Sequence, residues 1–157
     1  GSIREHILQI NADAFTEMDD SNCPTGKILS VEGTAMDFRQ PTRIGDRIDH
    51  DFFTRTRGID ANWVLHHPSS EQRLSLAATL SAAGRTMQVF TTQPGLQVYT
   101  ANFVENNIGK SGTMYHPQNA ICLETQNYPD APNHPSFPSA ILRPGEIYFS
   151  QTEYKFL

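Results

Sequence analysis

The sequence has 157 residues, the length of one domain around one core, enough by surface-to-volume scaling to remove roughly two-thirds of the unfolded surface from water. Seventeen acidic against twelve basic residues give a net charge of −5. With no Lys/Arg cluster and no basic–aromatic interleaving this excludes nucleic acid as a partner, and no apolar run approaches the ~18 residues of a membrane span.

Hydrophobic residues make up 38% of the chain, and ten glycines with ten prolines interrupt it, which suits many short strands joined by turns. Residues 3 to 10 alternate loosely around Ile3, Ile7 and Leu8 and predict a strand, with Asn11 to Thr16 as the following turn. Cys23-Pro24-Thr25-Gly26-Lys27-Ile28 has the Pro and Gly of a tight turn, and short strands are expected at residues 28–31 and 34–38. Pro41 and Gly45 then break the chain. Residues 45–58 mix Asp46, Arg47, Asp49, Asp51, Arg55 and Arg57 with few apolar positions, which predicts a short helix or a solvated loop.

Trp63-Val64-Leu65 reads as the next strand, closed by His66-His67-Pro68-Ser69-Ser70. Residues 73–81 alternate with Leu74, Leu76, Ala78 and Leu80 on one face. Ala82-Ala83-Gly84-Arg85 supplies a turn, and residues 86–92 alternate with Met87, Val89 and Thr91 together, completing a hairpin. After Gln93-Pro94-Gly95 comes another alternating strand, residues 96–101, and residues 106–112 read as a surface loop. A strand at Ile121-Cys122-Leu123 precedes a proline-rich loop, then residues 140–142 and a closing strand over 145–156. Eight to eleven strands with turns every ~8–12 residues predict an all-β fold, an antiparallel sandwich or barrel, as one segment without internal repeats.

Two residues stand out chemically. Glu124 follows the apolar Ile121-Cys122-Leu123, so the pleat that aims its neighbours aims its carboxylate too; it is either a proton acceptor on a concave face or an outward-facing strand residue. Asp60 lies between Gly58 and the single Trp63 at a strand entrance, where a carboxylate beside an aromatic ring suits sugar hydroxyls, or closes an Asx turn. The six histidines include no HxH or HExxH spacing, and the adjacent His66 and His67 face opposite sides of any strand, so no metal site is expected. No GxSxG elbow occurs, and Gly109-Lys110-Ser111-Gly112 lacks the frame of a phosphate loop. Cys23 and Cys122 lie far apart outside any CxxC spacing and read as reduced thiols, which, without a secretory signal, points to a cytoplasmic protein.

Several words of the sequence carry more. Pro24-Thr25-Gly26-Lys27-Ile28, Gly33-Thr34-Ala35-Met36-Asp37-Phe38-Arg39, Thr91-Thr92-Gln93-Pro94-Gly95-Leu96-Gln97-Val98-Tyr99-Thr100, Cys122-Leu123-Glu124-Thr125-Gln126 and Pro129-Asp130-Ala131-Pro132-Asn133-His134-Pro135 resemble, in order, the galactose mutarotase (aldose 1-epimerase) family. The likeness runs from about His6 to Phe156. It implies interconversion of the α and β anomers of free aldohexoses such as galactose and glucose, without metal or organic cofactor. By the same resemblance Glu124 is the general base at the anomeric hydroxyl and Asp60 a substrate-binding residue. Asp60-Ala61-Asn62-Trp63 departs from the Asp-His that the family usually has there.

Family members are about twice as long, with their catalytic histidines upstream; His6 matches a downstream family histidine that is not the acid. The chain is therefore expected to be the C-terminal half of a larger sandwich, needing the N-terminal half in cis or as a second chain. The competing expectation is a non-catalytic carbohydrate-binding module or sugar sensor of the same fold.

Overall fold

Alternating Leu8 and Ile10, both buried, pull Ile7–Ile10 (β1) onto the core, and the chain then turns into Ala14–Met18 (β2), where sequence reading expected only a turn. The structure, a computed structural model, describes residues 1–66, 73–105 and 107–157. Pro24–Ser30 (β3) runs straight through the expected Pro-Gly turn: Gly26 bends at φ +86° while the strand continues, and Pro24 sits at its first position. The strand expected at 34–38 is instead a turn, closed by the Thr34 hydroxyl, which donates to the Val31 carbonyl at 2.7 Å and accepts from Met36 N–H at 3.0 Å. Its apolar residues Met36 and Phe38 are fully buried, so they plug the core rather than line a strand.

Thr42–Arg43 (β4) leads into the mixed-charge segment, which forms two 3₁₀ turns at Ile44–Asp46 and Asp51–Phe53. Ile44, Ile48 and Phe53 are buried while Phe52 is 48% exposed, so the segment covers the core rather than lying wholly in solvent. Asp60–Val64 (β5) begins at Asp60 itself. Ser75–Ala82 (β6) and Arg85–Thr91 (β7) form the expected hairpin, turning at Ala83 (φ +48°) and Gly84 (φ +73°). A bulge between Leu76 and Ala78 breaks the expected alternation and leaves both Ala77 and Ala78 buried.

Gly95–Tyr99 (β8) follows, and the expected loop near 106–112 holds a small hairpin of Asn107–Ile108 (β9) and Met114–Tyr115 (β10). Cys122–Gln126 (β11) carries Glu124 at its centre, and Thr152–Phe156 (β12) closes the chain, starting later than expected. Residues 140–142 form no strand.

Two antiparallel five-stranded sheets result, ordered β12-β7-β6-β1-β4 and β11-β8-β5-β2-β3. One cluster joins Leu8, Ile10, Ala78 and Val89 of the first to Phe15, Ala61, Trp63, Leu96, Val98 and Leu123 of the second. The sheets thus form a sandwich packed through one face each. Trp63 anchors it: its indole N–H donates to the Met36 carbonyl at 3.1 Å and its ring meets Phe38 edge-on at 6.0 Å. Every residue of β12 is exposed, and Phe156 with the following Leu157 is more than half exposed at this edge.

Candidate active site

The second sheet has two chemically distinct faces. Ala61, Trp63, Leu96, Val98 and Leu123 take its inner face, so period-two alternation sends Asp60, Asn62, Gln97, Tyr99 and Glu124 to the outer one. The register aligns these residues in rows: Glu124 opposes Gln97, which opposes Asn62, while Cys122 opposes Tyr99, which opposes Asp60. Residues directly opposite in an antiparallel pair share a face. They line a cleft of about 530 Å³. From strand spacing and rise, Asp60 and Glu124 are separated by two strands and two residues, about 12 Å at the sheet surface.

The two sequence-predicted site residues therefore meet in one cleft. Glu124 is exposed. Its charge reaches Cys122: burial first, and the Glu124 carboxylate second, pushes the Cys122 thiol up from its ordinary value, so this neighbour stays neutral at pH 7. Asp60 is half-buried and accepts a hydrogen bond from Gln97 Nε2 at 2.7 Å, a charge-assisted contact that orients its carboxylate.

Beneath Asp60 runs a buried brace. The Thr100 hydroxyl accepts from Ile59 N–H at 2.9 Å and donates to Asn102 Oδ1 at 2.6 Å, and Asn102 Nδ2 donates back to the Ile59 carbonyl at 3.0 Å. This clamps the residue before Asp60. At the rim, Tyr99 Oη accepts from Phe103 N–H at 3.2 Å, holding a half-exposed ring under the Arg57 guanidinium at 5.7 Å.

The histidines lie elsewhere. Among the described residues none lines this cleft. His134 locks the proline-rich loop to β3: its Nε2 bonds the Pro24 carbonyl at 3.0 Å and approaches Asp130 at 3.3 Å, with its ring against Phe137. His66 bonds Asn11 and Asp13 at 3.0 and 2.7 Å; His67 lies outside the described residues. Among the described residues no group of three or more His, Cys, Asp or Glu could hold a metal ion. Likewise, among the described residues no helix is long and apolar enough to cross a membrane.

Sequence reading missed Gln97, Asn62 and the Thr100–Asn102 brace. The alternation of Leu96-Gln97-Val98-Tyr99 already separates Gln97 from the core, and that was the available signal. Its position between Asp60 and Glu124 depends on strand pairing across distant segments.

A family model described as aldose 1-epimerase matches residues 1–155. The chain is 43% identical over 156 residues to the galactose mutarotase of Mus musculus, covering 99% of the chain and 44% of that protein. It is 32% identical over 169 residues to the aldose 1-epimerase of Escherichia coli strain K12, covering 99% and 46%. Among solved structures, a GalM/aldose epimerase homologue from C. elegans superposes with a TM-score of 0.85 at 29% identity, covering 99% of this chain and 46% of that one. The galactose 1-epimerase from Lactobacillus acidophilus NCFM gives 0.81 at 28%, covering 99% and 45%. The chain spans less than half the length of each.

Proposed function

Because this chain belongs to the aldose 1-epimerase family, we propose that its cleft binds a free aldohexose and that Glu124 is the base of an anomer interconversion. The observation that carries this is the shared face: two carboxylates far apart in sequence lie over one cleft, with room between them for one hexose ring hydrogen-bonded at each end.

Glu124 removes the proton from the anomeric hydroxyl. As the C1–O1 bond becomes a carbonyl, the C1–O5 bond breaks and its electron pair goes to the ring oxygen, which takes a proton from an acid. Rotation about C1–C2 followed by closure with the proton transfers reversed gives the other anomer. Asp60, aimed by Gln97, holds ring hydroxyls during this rotation. Glu124 stands mid-strand in β11, and its register with β8 fixes the backbone that carries its exposed carboxylate, as a positioned base requires.

The acid is the part this cleft does not hold, since among the described residues no histidine lines it. We assign it to an upstream half, in cis or as a second chain, so that the 157 residues form the C-terminal part of a larger sandwich. The apolar residues left exposed along β12 suit such a contact. The same absence favours one second reading, a sugar-binding module without turnover.

Polarimetry of freshly dissolved α-D-galactose tests both. The chain alone should equilibrate it no faster than buffer, and the chain with an equimolar upstream half of the family domain should do so rapidly. Glu124→Gln in that mixture should lower kcat by about 10²–10⁴ with sugar binding retained. Rapid turnover by the chain alone, or full turnover by Glu124→Gln, would refute the assignment. Sugar binding with no turnover in any mixture would favour the binding module.

A further inference from the structure

The two five-stranded sheets end in four edge strands, β12, β4, β11 and β3. Three of these edges are short or obstructed. β4 is two residues long. On β3 the Pro24 and Gly26 carbonyls accept from His134 Nε2 at 3.0 Å and Ser136 Oγ at 3.4 Å, and Gly26 bends the strand. On β11 the Leu123 carbonyl accepts from Tyr154 Oη at 3.4 Å. β12 is the exception: all five of its residues are exposed, and β7 is its one strand neighbour among the described residues.

The ladder with β7 fixes which backbone groups of β12 are free. Leu157 and Thr86 exchange both N–H···O bonds, at 2.9 and 3.2 Å, and Thr92 N–H donates to the Gln151 carbonyl at 3.0 Å. Bonded pairs in an antiparallel ladder recur at every second residue, so Glu153 and Lys155 also turn their N–H and C=O toward β7. Thr152, Tyr154 and Phe156 turn theirs outward, where no strand stands among the described residues. The side chains alternate as well. Thr152 Oγ1 meets Thr125 Oγ1 at 2.6 Å and Tyr154 Oη reaches Leu123, so these residues face the second sheet while Glu153 and Lys155 face away from it.

An unpaired row of this kind is a template for another strand, and a second copy of β12 is self-complementary to it. With antiparallel pairing about a dyad at Tyr154, all five residues of each strand are used. Tyr154 meets Tyr154 and Thr152 meets Phe156 as bonded pairs, and Glu153 of each copy meets Lys155 of the other. These charged residues then occupy non-hydrogen-bonded positions, where Cα atoms are about 4.5 Å apart and side chains are closest. A dyad at Glu153 or Lys155 would set like charges directly opposite, which is destabilising. The Tyr154 register also covers Phe156, which is 74% exposed in the single chain. We propose that β12 is a self-association edge, through which two copies of this chain join their first sheets into one about Tyr154. This goes beyond the mutarotase reading and stands independently of it.

Sedimentation equilibrium of the chain from about 10 μM to about 1 mM should show a monomer–dimer equilibrium, the range of small transient interfaces. In hydrogen exchange followed by ¹⁵N NMR, the amides of Thr152, Tyr154 and Phe156 should gain protection as concentration rises. Those of Glu153 and Lys155, already turned to β7, should change little. Lys155→Glu should weaken dimerisation about tenfold, because two attractions per dimer become repulsions, and adding Glu153→Lys should restore it to within about threefold. The amide pattern is read on the unaltered protein, so it stands even if a variant does not fold. A monomer throughout, a dimer whose three outward amides stay unprotected, or a dimer indifferent to Lys155→Glu overturns the proposal. So does protection of those amides only after the upstream half is added, which would give the edge to that half.

Discussion

Thr100→Val removes one buried oxygen from beneath the cleft while keeping the shape of the side chain. Thr100 is fully buried; its hydroxyl accepts from Ile59 N–H and donates to Asn102 Oδ1. In the valine variant both of those groups remain inside the protein without their partner. A buried group so stranded costs about 1–3 kcal/mol, so the two together should lower stability by about 3 kcal/mol. That is a large fraction of the ~5–15 kcal/mol by which a domain is usually stable. With a urea m-value of about 2 kcal/mol/M, the midpoint should fall by about 1.5 M at unchanged slope. The thermal midpoint should fall by about 10 °C.

Thr100→Ser is the control, because it keeps the hydroxyl and loses one buried methyl, for a cost of about 1 kcal/mol. The expected order of stability is Thr above Ser above Val. A valine variant more stable than the serine variant would mean that the methyl's packing, and not the hydrogen-bonded brace, holds Ile59 and with it Asp60.

Two further outcomes follow from local geometry. The Arg39 guanidinium donates to both oxygens of Asp37, at 2.9 and 2.8 Å, and holds that carboxyl below the usual carboxylate range. Its folded value lies below the unfolded one near ~3.9, so this stabilisation is present in full above that pH and is lost as pH falls through the folded value. Asp37→Asn should therefore flatten the acid limb of a stability–pH curve below about pH 4, and an unchanged limb would contradict the pairing. Gly26→Ala meets both a positive φ of +86° and His134, whose Nδ1 would lie 2.7 Å from the new Cβ. It should cost about 2 kcal/mol in urea unfolding and release the His134 contact to Pro24, visible as a shifted imidazole resonance. A neutral effect would show that the loop is not tied down there.

The strands were legible where the chain alternates, because period two is a property of adjacent residues. Leu96 and Val98 against Gln97 and Tyr99, or Leu123 against Cys122 and Glu124, declare two faces without reference to anything distant. Where alternation was read and failed, long-range packing had overridden it. Residues 34–38 have strand-like composition, yet Met36 and Phe38 are worth more as a plug under Trp63. The bulge at Leu76/Ala78 answers to the register with β7. The charged segment 45–58 looked solvated because its two buried apolar residues, Ile48 and Phe53, are too sparse to form a periodic stripe.

The site divides in the same way. Glu124 and Asp60 were visible as carboxylates at or near strands, within words that resemble those of a known family. Their meeting in one cleft, the Gln97 between them and the enclosed amide of Asn62 were decided by the β11-β8-β5 register. Residues 60, 97 and 124 are separated by whole strands and turns, so no local pattern encodes their alignment. The sequence alone determined which side chains must leave the core; the pairing of distant strands decided which of them share one cleft.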